Sequence, residues 1–232
     1  QDAVRVTIDA LGEDRVEIRE LTVRTQASEK MHALHWVLAN HTHESALIFC
    51  NTKATISELT RGLCASGLSA NCLHGDLEQF ERDRVMAMFR NGSVRLLIAS
   101  DVAARGIDIA GLDLVVNYDL PGKPDTYIHR IGRTGRAGKS GLAISLATVA
   151  DERKLASIEQ RPGARLELVP CPSGGPREIE LLARSLAGLT PMVTIHILGG
   201  RKDKLRPGDI LGALTGEAGG LHADEVGKIE IH

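Results

Sequence analysis

From His129 to Gly138 the chain reads HRIGRTGRAG, and Arg130, Arg133, Arg136 and Lys139 place four cations within ten residues with no acid among them. Planar guanidinium groups hold phosphate oxygens in fixed geometry. Gly132, Gly135 and Gly138 allow the backbone to turn tightly beside a ligand. Such a string suits a polyphosphate, and the competing reading is a solvated basic turn. A second cationic run, GGRKDKLR (199–206), sets Arg201, Lys202, Lys204 and Arg206 on a glycine-started loop. Pro207 follows and suits the start of a helix, beside which cations can engage phosphates. His32, His35, His41 and His43 raise the question of a metal, but no supporting ligands accompany them, and solvated helix histidines are expected.

These groups need elements to hold them. Short apolar runs at 16–23, 46–50, 69–74, 95–100, 112–119 and 142–148 read as strands, several continuously apolar as strands buried on both faces should be. Helical patterns lie between them at 28–40, 53–66, 77–90, 124–132 and 150–160. Asp76 is placed to cap the third, with Gln79 completing a capping box. The alternation predicts an α/β domain over 1–160, a doubly wound and mostly parallel sheet with ligands beyond the carboxyl ends of its strands. Residues 161–190 read as a Pro- and Gly-rich linker and a helix over 177–189. Residues 191–232 read as a strand (192–198), a loop and short helix (205–216) and a strand (226–232). At about 40 residues such a unit is too small to close a core and is expected to be the opening of a truncated module.

Composition narrows the function. The net charge of −2 means that any affinity for nucleic acid must come from where the cations sit. No run of about 18 apolar residues spans a membrane and no basic-then-apolar leader is visible, while cysteines without pair spacing suit a reducing cytosol, so a cytoplasmic location is expected. A start at Gln-Asp without Met suggests a piece of a longer protein. Cys50, Cys64, Cys72 and Cys171 form no CxxC pair and read as free thiols. Trp36 reads as a core or interface residue of its helix.

In order along the chain, IFCNTK (48–53), LHGDLEQFER (73–82), ASDVAARGIDI (99–109) and NYDLPGKPDTYIHRIGRTGR (117–136) resemble four signatures of the DEAD-box RNA helicases. The resemblance covers about residues 20–150 and implies the second, C-terminal RecA-like motor domain of that family. It implies that Arg133 and Arg136 act as arginine fingers on the γ-phosphate of ATP, with Asp108 at the ribose hydroxyls. It implies that Thr52, Gln79, Arg82 and Ser100 meet the RNA backbone. Ser100 departs from the family's threonine but keeps the hydroxyl. For Arg82 the plain alternative is a helical ion pair with Glu78, and for Phe80 a packing role or a tolerated surface aromatic.

Neither a GxxxxGK[ST] loop nor a DEAD sequence is present. In this family both belong to the preceding RecA-like domain, which binds ATP and its magnesium, so the parent is expected to be an ATPase and this chain alone inactive. VTIHILGGRKDKLRPGDILGALTG (193–216) and VGKIEIH (226–232) resemble the RNA-binding domain of DbpA-type DEAD-box helicases, with a cold-shock DEAD-box group as the alternative. That likeness implies a truncated RRM-like α+β module, a ribosomal RNA partner in ribosome biogenesis, and Arg201, Lys202, Lys204 and Arg206 as RNA contacts. Nothing aromatic follows Tyr127, so the stacking residues usual in RRM modules are missing. An unpaired strand edge in this tail would favour self-association. A stand-alone RNA-binding protein on a degenerate motor scaffold is the other reading of the whole. An enzyme with a small-molecule site of its own has only the sheet architecture behind it.

Overall fold

The computed structural model describes residues 18–105, 109–135, 140–171, 174, 176–186, 192–197 and 199–231. Seven strands form one sheet: β1 (Ile18–Arg24), β2 (Ala46–Phe49), β3 (Ala70–Leu73), β4 (Leu96–Ala99), β5 (Leu114–Asn117), β6 (Gly141–Ala147) and β7 (Leu166–Val169). Their order is β3-β4-β2-β5-β6-β1-β7 and every pairing is parallel. All residues of β2, β4 and β5 are buried, which is why these segments read as unbroken apolar runs.

Successive side chains on a strand point to opposite faces, so each strand feeds two cores. On one face Ile48, Ile98, Val116 and Ile144 meet Leu34, Val37 and Leu38 of α1 (Lys30–Asn40) and Ile56, Leu59 and Leu63 of α2 (Lys53–Ala65). On the other, Leu47, Phe49, Leu97 and Val115 meet Val85, Met86 and Phe89 of α3 (Gln79–Arg90). Tyr127 and Ile131 of α5 (Pro124–Ile131) and Leu155 and Ile158 of α6 (Glu152–Glu159) cover Ala143 and Ala147. Trp36 is half-buried against the first core.

Several local expectations need correction. A seventh strand, β7, lies in the segment read as a linker. It pairs with β1, and Glu167 takes a forked hydrogen bond from Arg19 at 2.9–3.2 Å. A four-residue helix, α4 (Asp101–Ala104), follows β4. The cap of α3 is Glu78 rather than Asp76, and the backbone N–H of Glu78 donates to Glu81 Oε2 at 3.0 Å. Asp76 is occupied elsewhere, by the Lys53 ammonium. The histidines are not solvated: His32, His35 and His43 are buried. Desolvation lowers the pKa of His35, His41 and His43, although a hydrogen bond between ring and backbone opposes it at His35 and His43.

After the sheet, α7 (Pro176–Leu186) packs on α1, with Ala183 buried and Leu186 against the first core. The last part of the expected helix, 187–189, lies outside the described residues. The strands expected at 192–198 and 226–232 do not form: the described residues 192–197 and 226–231 join no ladder. A strand needs a neighbour for its backbone groups, and no other strand runs beside either segment among the described residues. Local structure takes over instead: a 3-10 turn at Arg201–Asp203, α8 (Pro207–Thr215) and a 3-10 turn at Ala223–Glu225.

Candidate nucleotide and RNA faces

Four residues expected to contact RNA lie beyond the carboxyl ends of β2, β3 and β4, three neighbouring strands. Thr52 is exposed and caps α2, its Oγ1 accepting from the Thr55 N–H at 3.1 Å. Gln79 opens α3 and donates to Asp83 Oδ1 at 2.7 Å. Ser100 caps α4, where its hydroxyl oxygen accepts from the Ala103 N–H at 3.4 Å. Arg82 is half-buried and donates from Nη2 to the Ala103 carbonyl at 3.2 Å, not to Glu78. Arg82 and Ser100 thus converge on the two backbone groups of one residue. Lys53 bridges to Asp76 and joins the loops after β2 and β3, and its hydrogen bond holds the Asp76 carboxyl below the usual range. The result is a surface of hydroxyl, amide and guanidinium groups fixed by three strand ends.

The arginine string divides into two roles. Arg133 lies on the lead-in to β6: its carbonyl accepts from the Leu112 N–H at 3.1 Å and its Nη1 is 3.4 Å from the Ile109 carbonyl. That carbonyl belongs to the residue directly after Asp108. Gly135 takes φ +66°, and a Cβ on Gly141 would stand 2.5 Å from the Gly135 nitrogen. Gly135 and Gly141 thus approach each other through backbone contact that only glycine permits. Asp108, Arg136 and Lys139 lie outside the described residues.

Arg130 does something else, which the sequence reading missed. Its side chain is 1% exposed, and it grips Asp101 with Nε to Oδ1 at 2.6 Å and Nη2 to Oδ2 at 2.9 Å. Nη1 donates to Asn117 Oδ1 at 3.2 Å and to the Asp119 carbonyl at 2.6 Å, while Nη2 also reaches Asn51 Oδ1 at 2.9 Å. The guanidinium stands 5.0 Å from the Phe49 ring centre. All five donors are engaged, so Arg130 has none left for a phosphate. It ties the ends of β2 and β5 and the start of α4 to α5, the helix that leads into Arg133. A signal existed: Arg130 shares the inward stripe of α5 with Tyr127 and Ile131.

Two further pairs brace this region. Lys30 meets Asp119 at 2.6 Å and stands 4.4 Å from the Tyr118 ring centre. Burial, with help from the neighbouring Cys50, Asp119 and Glu58, pushes the Tyr118 hydroxyl up to about 12. Tyr127 donates to buried Glu20 at 2.9 Å, and Arg161 pairs with the same carboxylate.

In the tail, Lys202, Lys204 and Arg206 are exposed around α8, and Arg201 opens the 3-10 turn before it. The tail meets the motor domain at its first segment: Thr194 Oγ1 accepts from Asn91 Nδ2 at 2.9 Å and shares a 2.7 Å hydrogen bond with Ser93. The His196 ring lies 5.7 Å from that of Phe80.

Residues 29–138 match the helicase conserved C-terminal domain, and residues 194–232 match the DbpA RNA binding domain. The chain is 42% identical over 216 residues to the ATP-dependent RNA helicase DbpA of Escherichia coli (strain K12), covering 93% of this chain and 45% of that protein. With the DbpA of Bacillus subtilis (strain 168) it is 35% identical over 245 residues, covering 100% of this chain and 51% of that protein. The chain thus spans about half the length of the curated relatives it matches. A solved structure of the C-terminal domain of the DEAD-box protein Dbp5 superposes with a TM-score of 0.63 at 37% identity, covering 74% of this chain and 99% of that one. Signatures, structural likeness and relatives agree that the chain belongs to the DEAD-box helicase family, as its C-terminal RecA-like domain followed by a DbpA-type RNA-binding segment.

Proposed function

We propose that this chain is the C-terminal half of an ATP-dependent RNA helicase that acts in the cytoplasm on structured ribosomal RNA, with one face for nucleotide and another for the RNA backbone. The observation that carries the reading is the convergence of Thr52, Gln79, Arg82 and Ser100 at adjacent strand ends, joined through Arg130 to the helix that leads into Arg133.

The residues present fit the phosphate end of a nucleotide held mainly by a preceding RecA-like domain. Arg133 is fixed to the carbonyl of Ile109, the residue after Asp108, and Arg136 directly follows Gly135, whose backbone meets Gly141. Bound there, ATP supplies the phosphoryl group whose transfer to water drives the cycle. Arg133 and Arg136 neutralise charge on that group, and Asp108 accepts from the ribose hydroxyls. Among the described residues no cluster of His, Cys, Asp and Glu is arranged to hold a metal ion, and magnesium is assigned to the preceding domain. No helix among them is long and apolar enough to cross a membrane.

Arg82 and the hydroxyls of Thr52 and Ser100 grip phosphates irrespective of base. Arg201, Lys202, Lys204 and Arg206 extend the contact to the RNA of the tail. Val193, Ile195 and Ile197, exposed on alternate residues, mark where two copies would pair. The test is ATP turnover by this chain and by the two-domain parent. Turnover is expected only in the parent, falling by about 10³ or more on Arg133→Ala or Arg136→Ala. Appreciable turnover by this chain alone, lost on Arg136→Ala, contradicts the division between two domains.

A further inference from the structure

The chain has one Trp, two Tyr and three Phe. Five of these rings are buried or half-buried, and only Phe80, at 57%, is exposed. It stands in the first turn of α3, directly after Gln79 and two residues before Arg82. The His196 ring of the tail, 5.7 Å from that of Phe80, is itself exposed and leaves Phe80 more than half open. The tail segment that brings His196 there is fixed by the Thr194 hydrogen bonds to Asn91 and Ser93, so the two rings are presented together.

The charges around the ring do not favour a purely electrostatic grip. Over 78–84 the three acids Glu78, Glu81 and Asp83 outnumber the two arginines Arg82 and Arg84, and Gln79 is turned toward Asp83. An RNA strand held here by Arg82 therefore needs an attraction that does not depend on charge. An open aromatic face supplies one, because every base has a π-face that stacks on it.

We propose that Phe80, with His196 at its edge, is a stacking platform for an unpaired nucleobase of the strand whose phosphates Gln79 and Arg82 hold. The platform rests on the RNA-binding reading of this face. It gives a tail without aromatic residues of its own a stacking surface shared with the motor domain, at the point where the two segments meet.

The test uses the full 232-residue chain and a single-stranded RNA carrying 2-aminopurine, whose fluorescence is quenched by stacking. Phe80→Ala is expected to weaken binding about tenfold and abolish the quenching, with the salt dependence unchanged. Phe80→Trp is expected to keep both, and Phe80→Leu to behave like Phe80→Ala. Arg82→Ala is expected to weaken binding and flatten the logarithmic salt slope by about 0.7. Phe80 is exposed, so an unchanged unfolding midpoint will show that its variants are folded. If Arg82→Ala weakens binding while Phe80→Ala does not, the platform is wrong and the RNA face stands. Loss of affinity in Phe80→Ala but not in Phe80→Leu makes the ring an apolar prop for the tail and also overturns the platform. If neither Phe80→Ala nor Arg82→Ala alters binding, the RNA reading of the face fails with it.

Discussion

The motor domain and the tail are stabilised in different ways. Over 18–171 the chain closes a seven-stranded sheet between two helical layers, with its charged groups seated in networks such as that of Arg130. Over 192–231 no described residue is buried, and Val193, Ile195 and Ile197 stay exposed. Apart from the Thr194 hydrogen bonds to Asn91 and Ser93, the order there is local: Arg206 N–H donates to Asp209 at 2.9 Å, Gly200 N–H to Asp203 at 2.9 Å and His222 N–H to Glu225 at 2.7 Å. Non-local burial makes the first region cooperative, whereas short-range hydrogen bonds leave the second free to open piecemeal. The region proposed to carry the two faces has a shared core, and the tail proposed to meet RNA has none among its described residues.

The largest expected effect lies in the motor domain. Arg130→Met leaves Asp101, Asn51 and Asn117 without their shared donor and is expected to cost about 3–5 kcal/mol in urea unfolding. A loss below about 1 kcal/mol would mean that the network does not hold the strand ends together. The next effect also belongs to the motor domain. His35, His41 and His43 have folded-state pKa values lowered from 6.5 chiefly by burial, so below that pH the unfolded chain binds more protons than the folded one. Their contribution is fully present above pH 6.5 and is lost as pH falls through the depressed folded values. The midpoint of thermal unfolding should therefore drop between pH 7 and pH 5, and less steeply in His35→Gln. A midpoint unmoved by pH would contradict the burial of these rings. The smallest effect belongs to the tail. Asp209→Ala should weaken α8 by about 0.5–1 kcal/mol, read as faster amide exchange over 207–215, while the main unfolding transition stays where it was. A shift of that transition would show the two regions to be one cooperative unit.

The same contrast explains what was legible in the sequence. Six of the strands and most of the helices could be read, most clearly β2, β4 and β5, where burial on both faces imposes runs such as ALIF and LLIA. Edge strand β7 could not, since exposed Glu167 interrupts its leucines in a Pro- and Gly-rich setting. The capping of α3 was misread by two residues because Lys53, 23 residues away, claims Asp76. The α1 histidines share helix faces with Leu34, Val37 and Leu38, and a polar residue type hid their burial. VTIHI has strand composition, but composition cannot supply the neighbouring strand. For the site, the roles proposed for Thr52, Gln79, Arg82, Ser100 and Arg133 came from the family resemblance rather than from residue type. The stripe that Arg130 shares with Tyr127 and Ile131 hinted at a scaffold role, and its hydrogen bonds to Asn51, Asp101, Asn117 and Asp119, distant in sequence, establish it.

The central claim is that one rigid domain presents separable nucleotide and RNA faces. Its most direct test is a paired measurement in the two-domain parent of ATP turnover at saturating RNA and of RNA affinity, for Arg133→Ala and Arg82→Ala. Arg133→Ala is predicted to lower kcat by about 10³ or more with RNA affinity within about twofold of the parent. Arg82→Ala is predicted to weaken RNA binding and flatten its salt dependence while kcat at saturating RNA stays within about threefold. Parallel loss of turnover and affinity in both variants would contradict the separation.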